Sequence, residues 1–112
     1  MIRLFVYGTL KRGFHNACYL QNARFLGEFT TSSVFSMYNF GNYPVVSEIG
    51  DTAIQGEVYE INQQQLESTD RLEWYPEFYQ RVVIETSFGE AWMYVVNQQL
   101  CTDKLKISGI WI

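Results

Sequence analysis

The sequence predicts an α+β fold: a small mixed β-barrel, or a strongly curled sheet, carrying short helices. Three observations lead there. Short β-rich stretches recur along the 112 residues, and only one segment has a complete helix-start pattern. Aromatic residues make up 17% of the chain, and that much ring surface needs a core or a pocket to line. The length suits one hydrophobic core, so residues 1–112 are read as a single domain.

The elements follow in order. Ile2 to Tyr7 (IRLFVY) is short, apolar and β-rich, and reads as a buried strand. Gly8 to Asn16 reads as a loop, and Ala17 to Ala23 as one or two helical turns. Phe25 to Tyr38 holds enough β-formers for a strand, a bend and a second strand. Gly41, Pro44 and Gly50 punctuate residues 41–51, which read as a loop. Ala53 to Ile61 alternates as a half-buried strand, with Gly56 suggesting a bulge. Asn62 as N-cap, Gln65 at N3 and an Ile61–Leu66 staple then start a helix. Pro76 disfavours helix at Tyr75, so that helix should end near Glu73. Phe78–Ser87 and Glu90–Val96 read as two strands joined at Phe88-Gly89.

Composition narrows the function classes. The net charge of −4 argues against nucleic acid and anionic membranes, which attract basic surfaces. No apolar run reaches 18 residues, so no membrane span is expected. Cys18 and Cys101 follow no metal or disulfide pattern and no signal peptide is visible, which suggests free thiols in a reducing cytoplasm. His15 is the only histidine, so a structural zinc site is not expected.

Two segments carry chemistry. In VYGTLKRG, Gly8 and Gly13 match the glycine spacing of a phosphate loop. Phe14 and His15 stand where such a loop needs Lys and Ser or Thr, so nucleotide binding is set aside. The turn is then either a plain strand exit or a set of backbone N–H groups aimed into a cavity to hold a carboxylate or an oxyanion. In TDRLEWYPEFYQR, Glu73 sits among Leu72, Trp74, Tyr75 and Phe78. Apolar company raises a carboxyl pKa and suits general acid/base work. The competing reading pairs Glu73 with Arg71 or Arg81 on the surface, and on residue physics alone that reading is favoured. Asp70 and Glu77 read as solvated or structural, and Tyr79 equally as core or pocket rim. His15 reads as an exposed loop residue. No serine lies in a nucleophile-elbow pattern, and Cys18 has no support as a nucleophile beyond its nearness in sequence to His15.

Together the two segments resemble the gamma-glutamylcyclotransferase-like family. VYGTL resembles its YG[ST]L signature. TDRLE and the following Tyr79-Gln80-Arg81 resemble its LD-x-x-E segment and the Y-x-R of its gamma-glutamylamine cyclotransferase branch. YPVV, GEVYE, AWMYV and ISGIW resemble, in order, its xYPxx loop, its GE[LV]Y strand, its late strand and its SGDW end. Thr69 stands where Leu is usual, Trp74 where Gly is common, and Ile110 in place of the Asp of SGDW. These departures bear on substrate more than on fold.

The resemblance implies a small mixed β-barrel with a cavity at one end and a cyclotransferase that releases 5-oxoproline from a gamma-glutamyl amine or amino acid. It implies Glu73 as the catalytic acid/base, and Tyr7, Gly8, Thr9, Leu10 and Tyr79 as substrate-binding residues. Lys11 and Arg12 would then be solvated residues past the pocket. The partner implied is a small gamma-glutamyl molecule, with no metal, cofactor, nucleic acid or membrane. Two alternatives stand beside this one: a non-catalytic ligand-binding or interaction module on the same fold, and a transferase using an external amine. The sequence carries no signal for the oligomeric state.

Overall fold

A computed structural model describes residues 1–112. The strands are β1 (Ile2–Val6), β2 (Arg24–Thr30), β3 (Phe35–Asn39), β4 (Pro44–Thr52), β5 (Gln55–Ile61), β6 (Gln80–Thr86), β7 (Gly89–Val95) and β8 (Leu105–Ile107). The single α-helix, α1, spans Gln63–Leu72, and short 3-10 turns cover Ala17–Leu20 and Gln98–Cys101.

The strands form two sheets. One has the order β2-β5-β1-β7-β6, the other β4-β3-β8. β1 is central in the larger sheet, antiparallel to β5 and parallel to β7. A backbone bond from Val96 N–H to the Val46 carbonyl (2.8 Å) ties the sheets together. The two sheets do not close into one barrel, so the barrel expectation holds only as a mixed, curled α+β arrangement.

The alternation of β1 builds two cores. Leu4 and Val6 pack with Tyr59, Ile61, Leu66 and Tyr94, on the side where α1 lies. Phe5 and Tyr7 pack with Met37, Val46, Val58 and Met93 on the other. A strand buried on both faces reads as a continuous apolar run, which is why IRLFVY was legible. The residues that follow Val6 therefore emerge from the middle of the molecule.

Two sequence expectations need correction. Residues 41–51 are not a loop, because strand β4 starts at Pro44. Pro44 opens an edge strand, where its missing N–H withdraws no ladder bond. Gly50 lies in an irregular stretch: Ser36 pairs with Ser47 while its neighbour Phe35 pairs with Thr52, so residues 48–51 form an excursion within the strand. The bulge is also not at Gly56. It lies opposite, in β2, where the register slips between Phe25 and Gly27. Gly56 is needed for a close approach, since a Cβ there would run into the Val6 carbonyl.

The helix start stands as expected. The Asn62 side chain accepts from Gln65 N–H (2.8 Å), and the Gln65 side chain accepts from Asn62 N–H (2.8 Å), which closes the capping box. Cys18 is exposed, Cys101 is buried, and both are free. No helix is long and apolar enough to cross a membrane.

Candidate active site

The end of α1 places Glu73. Glu73 is the C-cap, and the chain then turns through Trp74 at φ +56°. Tyr75 N–H donates to the Asp70 carbonyl (2.9 Å) and Trp74 N–H to the Arg71 carbonyl (3.3 Å). Those two bonds make a Schellman ending with Trp, rather than Gly, in the left-handed position. The motif halts the helix and leaves the Glu73 side chain beside the end of β1.

The end of β1 supplies the opposite wall. Tyr7, Gly8, Thr9 and Leu10 are all buried. With Pro44, Glu73, Tyr79 and Tyr94 they line one inner cavity of about 30 Å³. The six residues singled out from the sequence thus meet in one place. The N–H groups of Gly8, Thr9 and Leu10 donate to no acceptor within the chain, although Lys11 N–H donates to the Gly8 carbonyl (3.1 Å). Three consecutive buried amides without acceptors are unusual, because an orphaned buried N–H costs about 1–3 kcal/mol.

This turn is braced from outside. Asn16 Nδ2 donates to Thr9 Oγ1 (2.9 Å), and Asn16 N–H to the Thr9 carbonyl (3.0 Å). Arg12 N–H donates to Glu57 Oε1 (3.0 Å), and the Arg12 guanidinium lies over the Phe25 ring at 3.9 Å. Lys11 Nζ donates to the Trp111 carbonyl (2.8 Å). Lys11 is therefore an anchor of the turn rather than a free solvated residue, whereas the Arg12 side chain is exposed, as expected, and its backbone is tied down. Glycine is required at position 8 because a Cβ would lie 2.8 Å and 2.9 Å from the ring carbons of Pro44.

Glu73 has no ionic partner. Arg81, the rival expected from the sequence, is 3.0 Å from Asp70 and is sandwiched between the rings of Tyr75 (4.3 Å) and Trp92 (4.6 Å). Arg71 donates to Ser68 instead. The surface ion-pair reading of Glu73 is thereby removed. Burial without a compensating cation pushes the Glu73 carboxyl up from 4.5 to about 7. Asp70 is structural, as one sequence reading had it: it accepts from Tyr94 Oη (2.6 Å) as well as meeting Arg81. Thr69, fully buried, meets the same Tyr94 hydroxyl at 2.8 Å.

The tyrosines around Glu73 are fixed hydroxyls. Tyr79 donates to the Pro44 carbonyl (2.7 Å), and Tyr7 to the Tyr94 carbonyl (2.8 Å). Burial holds both well above the ordinary tyrosine value, with the Glu73 charge adding to the effect. They stay protonated near neutrality, so Glu73 is the inner-cavity group able to exchange a proton there. Pro44 and Tyr94 were not singled out as site residues from sequence; the YPVV and AWMYV motifs that contain them were the only signal. A wider cleft of about 370 Å³ adjoins the cavity, sharing Thr9, Tyr43, Glu73 and Tyr79 with it. His15 is exposed, as expected, and lies on the wall of this cleft.

Comparison with known proteins gives the family. The profile described as "Gamma-glutamyl cyclotransferase, AIG2-like" matches residues 4–112. A Vibrio cholerae protein, provisionally named as a gamma-glutamylcyclotransferase, is 41% identical over 96% of this chain and 93% of its own length. The Escherichia coli gamma-glutamylcyclotransferase family protein YtfP is 36% identical over 99% of this chain and 96% of its own. The solution structure of YtfP superposes with a TM-score of 0.79, covering 99% of this chain and 96% of that one. A Pyrococcus horikoshii crystal structure, PH0828, superposes with a TM-score of 0.82 at 28% identity, covering 98% of this chain and 89% of that one. This chain belongs to the gamma-glutamyl cyclotransferase, AIG2-like family of enzymes.

Proposed function

We propose that the protein converts a gamma-glutamyl amide into 5-oxoproline and a free amine, with Glu73 as the acid/base group. The observation that supports this most is the pairing across one cavity of an unpartnered, half-buried carboxyl with the three acceptor-free amides of Gly8, Thr9 and Leu10. A row of backbone N–H groups is a natural seat for a carboxylate. The inner cavity has room for a group of that size, and Glu73 stands where the cavity meets the cleft.

In this reading the substrate's α-carboxylate sits on the amides, and its α-ammonium faces Glu73. Glu73 takes a proton from the ammonium. The freed amine attacks the γ-carbonyl carbon and closes a five-membered ring. Collapse breaks the C–N bond of the amide as Glu73 gives its proton to the departing nitrogen. Glu73 then takes the second proton from the ring nitrogen and passes it to the released amine, which leaves as an ammonium. The atoms balance without water. Because the nucleophile belongs to the substrate, holding the folded conformer supplies much of the rate. A pKa near 7 suits a group that must act in both directions.

The test is a panel of gamma-glutamyl amines and dipeptides, assayed for both 5-oxoproline and binding. Release of 5-oxoproline from at least one compound is expected. Binding across the panel with no 5-oxoproline would contradict the proposal and favour a binding module.

A further inference from the structure

Resting on that reading, we propose that the outer cleft selects an uncharged, apolar or aromatic amine as the leaving side of the substrate, and that Trp74 is a specificity-determining residue on its rim. The cleft has an aromatic wall. Tyr79, on the inner cavity, meets Phe78 edge-on (5.0 Å between centroids), and Phe78 meets Tyr43 in the same way (6.4 Å). Leu72 and Trp74 complete the apolar part of the lining, and Asn16 and Asn42 supply neutral polar groups.

No lysine or arginine lines the cleft, its one carboxylate is Glu73, and its one imidazole is that of the exposed His15. Lys104 lies over the Phe40 ring at 5.0 Å and is not part of the lining. A gamma-glutamyl amino acid would bring a second carboxylate into this cleft. That charge would meet no lysine or arginine and would share the cleft with the Glu73 carboxylate. A flat, neutral amine would meet rings.

Trp74 points to the same conclusion. It is 72% exposed and takes a left-handed conformation that glycine adopts without strain. A large side chain held there, and mostly in water, adds little to the core. Its position on the cleft gives it a ligand-facing use.

The experiment compares gamma-glutamylbenzylamide with gamma-glutamylalanine on the wild-type protein and on Trp74→Ala and Trp74→Gly. Both variants are first confirmed as folded by thermal unfolding. Selectivity is read as the ratio of kcat/KM where 5-oxoproline forms, and as the ratio of Kd where it does not. The benzylamide should be preferred by about tenfold or more, the scale on which an apolar pocket discriminates. Both variants should erode that preference, lowering the benzylamide value by clearly more than the gamma-glutamylalanine value. Equal or better handling of gamma-glutamylalanine would overturn the proposal, and so would an equal loss for both compounds in the variants. A preference without any 5-oxoproline would instead contradict the proposed reaction and leave the cleft assignment standing. Binding of neither compound would overturn both.

Discussion

Replacing Glu73 by glutamine should stabilise the protein, and the gain should depend on pH in a defined window. Burial lifts the Glu73 carboxyl from 4.5 to about 7. Below pH 4.5 the side chain is protonated both folded and unfolded, and the folded state loses nothing. As pH rises through 4.5, Glu73 ionises freely in the unfolded chain but not in the folded one, so folding weakens. The loss grows until about pH 7, where the folded protein ionises too, and is constant above that. Each pKa unit is worth about 1.4 kcal/mol, so the full loss is about 3 kcal/mol. The neutral amide of the Glu73→Gln variant has no such loss. Urea unfolding of both proteins between pH 4 and pH 8.5 isolates it, because every other titrating group cancels in the difference. The variant should gain about 3 kcal/mol on the wild type across that range. A stability difference that stays flat with pH would refute the reasoning that Glu73 is buried without a partner.

Three further outcomes follow from the same geometry. Trp74→Gly should raise stability by about 0.5–1 kcal/mol in denaturant unfolding, since it relieves a left-handed conformation and removes little packing; a loss above about 1 kcal/mol would mean the indole packs in solution. Tyr79→Phe should lower stability by about 2 kcal/mol, because it leaves the Pro44 carbonyl without its 2.7 Å donor; unchanged unfolding would show that this bond contributes nothing. Gly8→Ala should push Pro44 into the cavity, lowering stability by about 1–3 kcal/mol and 5-oxoproline release together; a variant with wild-type stability and activity would contradict the close packing of Gly8 on Pro44.

What the sequence made legible was local. The capping box of α1 lies within four residues, and the apolar run of β1 within five, so both could be read directly. Strand β4 was hidden because its identity comes from pairing with β3, and its Pro44 and Gly50 look like loop punctuation when that pairing is unseen. The site divided in the same way. The residues 7–10 and Glu73 were found, but whether Glu73 was free depended on Arg81, eight positions on. Arg81 is held by two rings and Asp70, an arrangement no spacing rule reveals. Lys11 was misread as solvated because its partner, the Trp111 carbonyl, is distant in sequence.

The most direct measurement is kcat/KM for 5-oxoproline release by wild type and Glu73→Gln, side by side, on the best substrate of the panel. Losing a placed acid/base group should lower the rate by ~10²–10⁴-fold. The wild-type value should also rise with pH through about 7, as Glu73 gains its basic form. Equal rates for the two proteins, with both confirmed as folded, would contradict the assignment of Glu73 as the group that moves the proton.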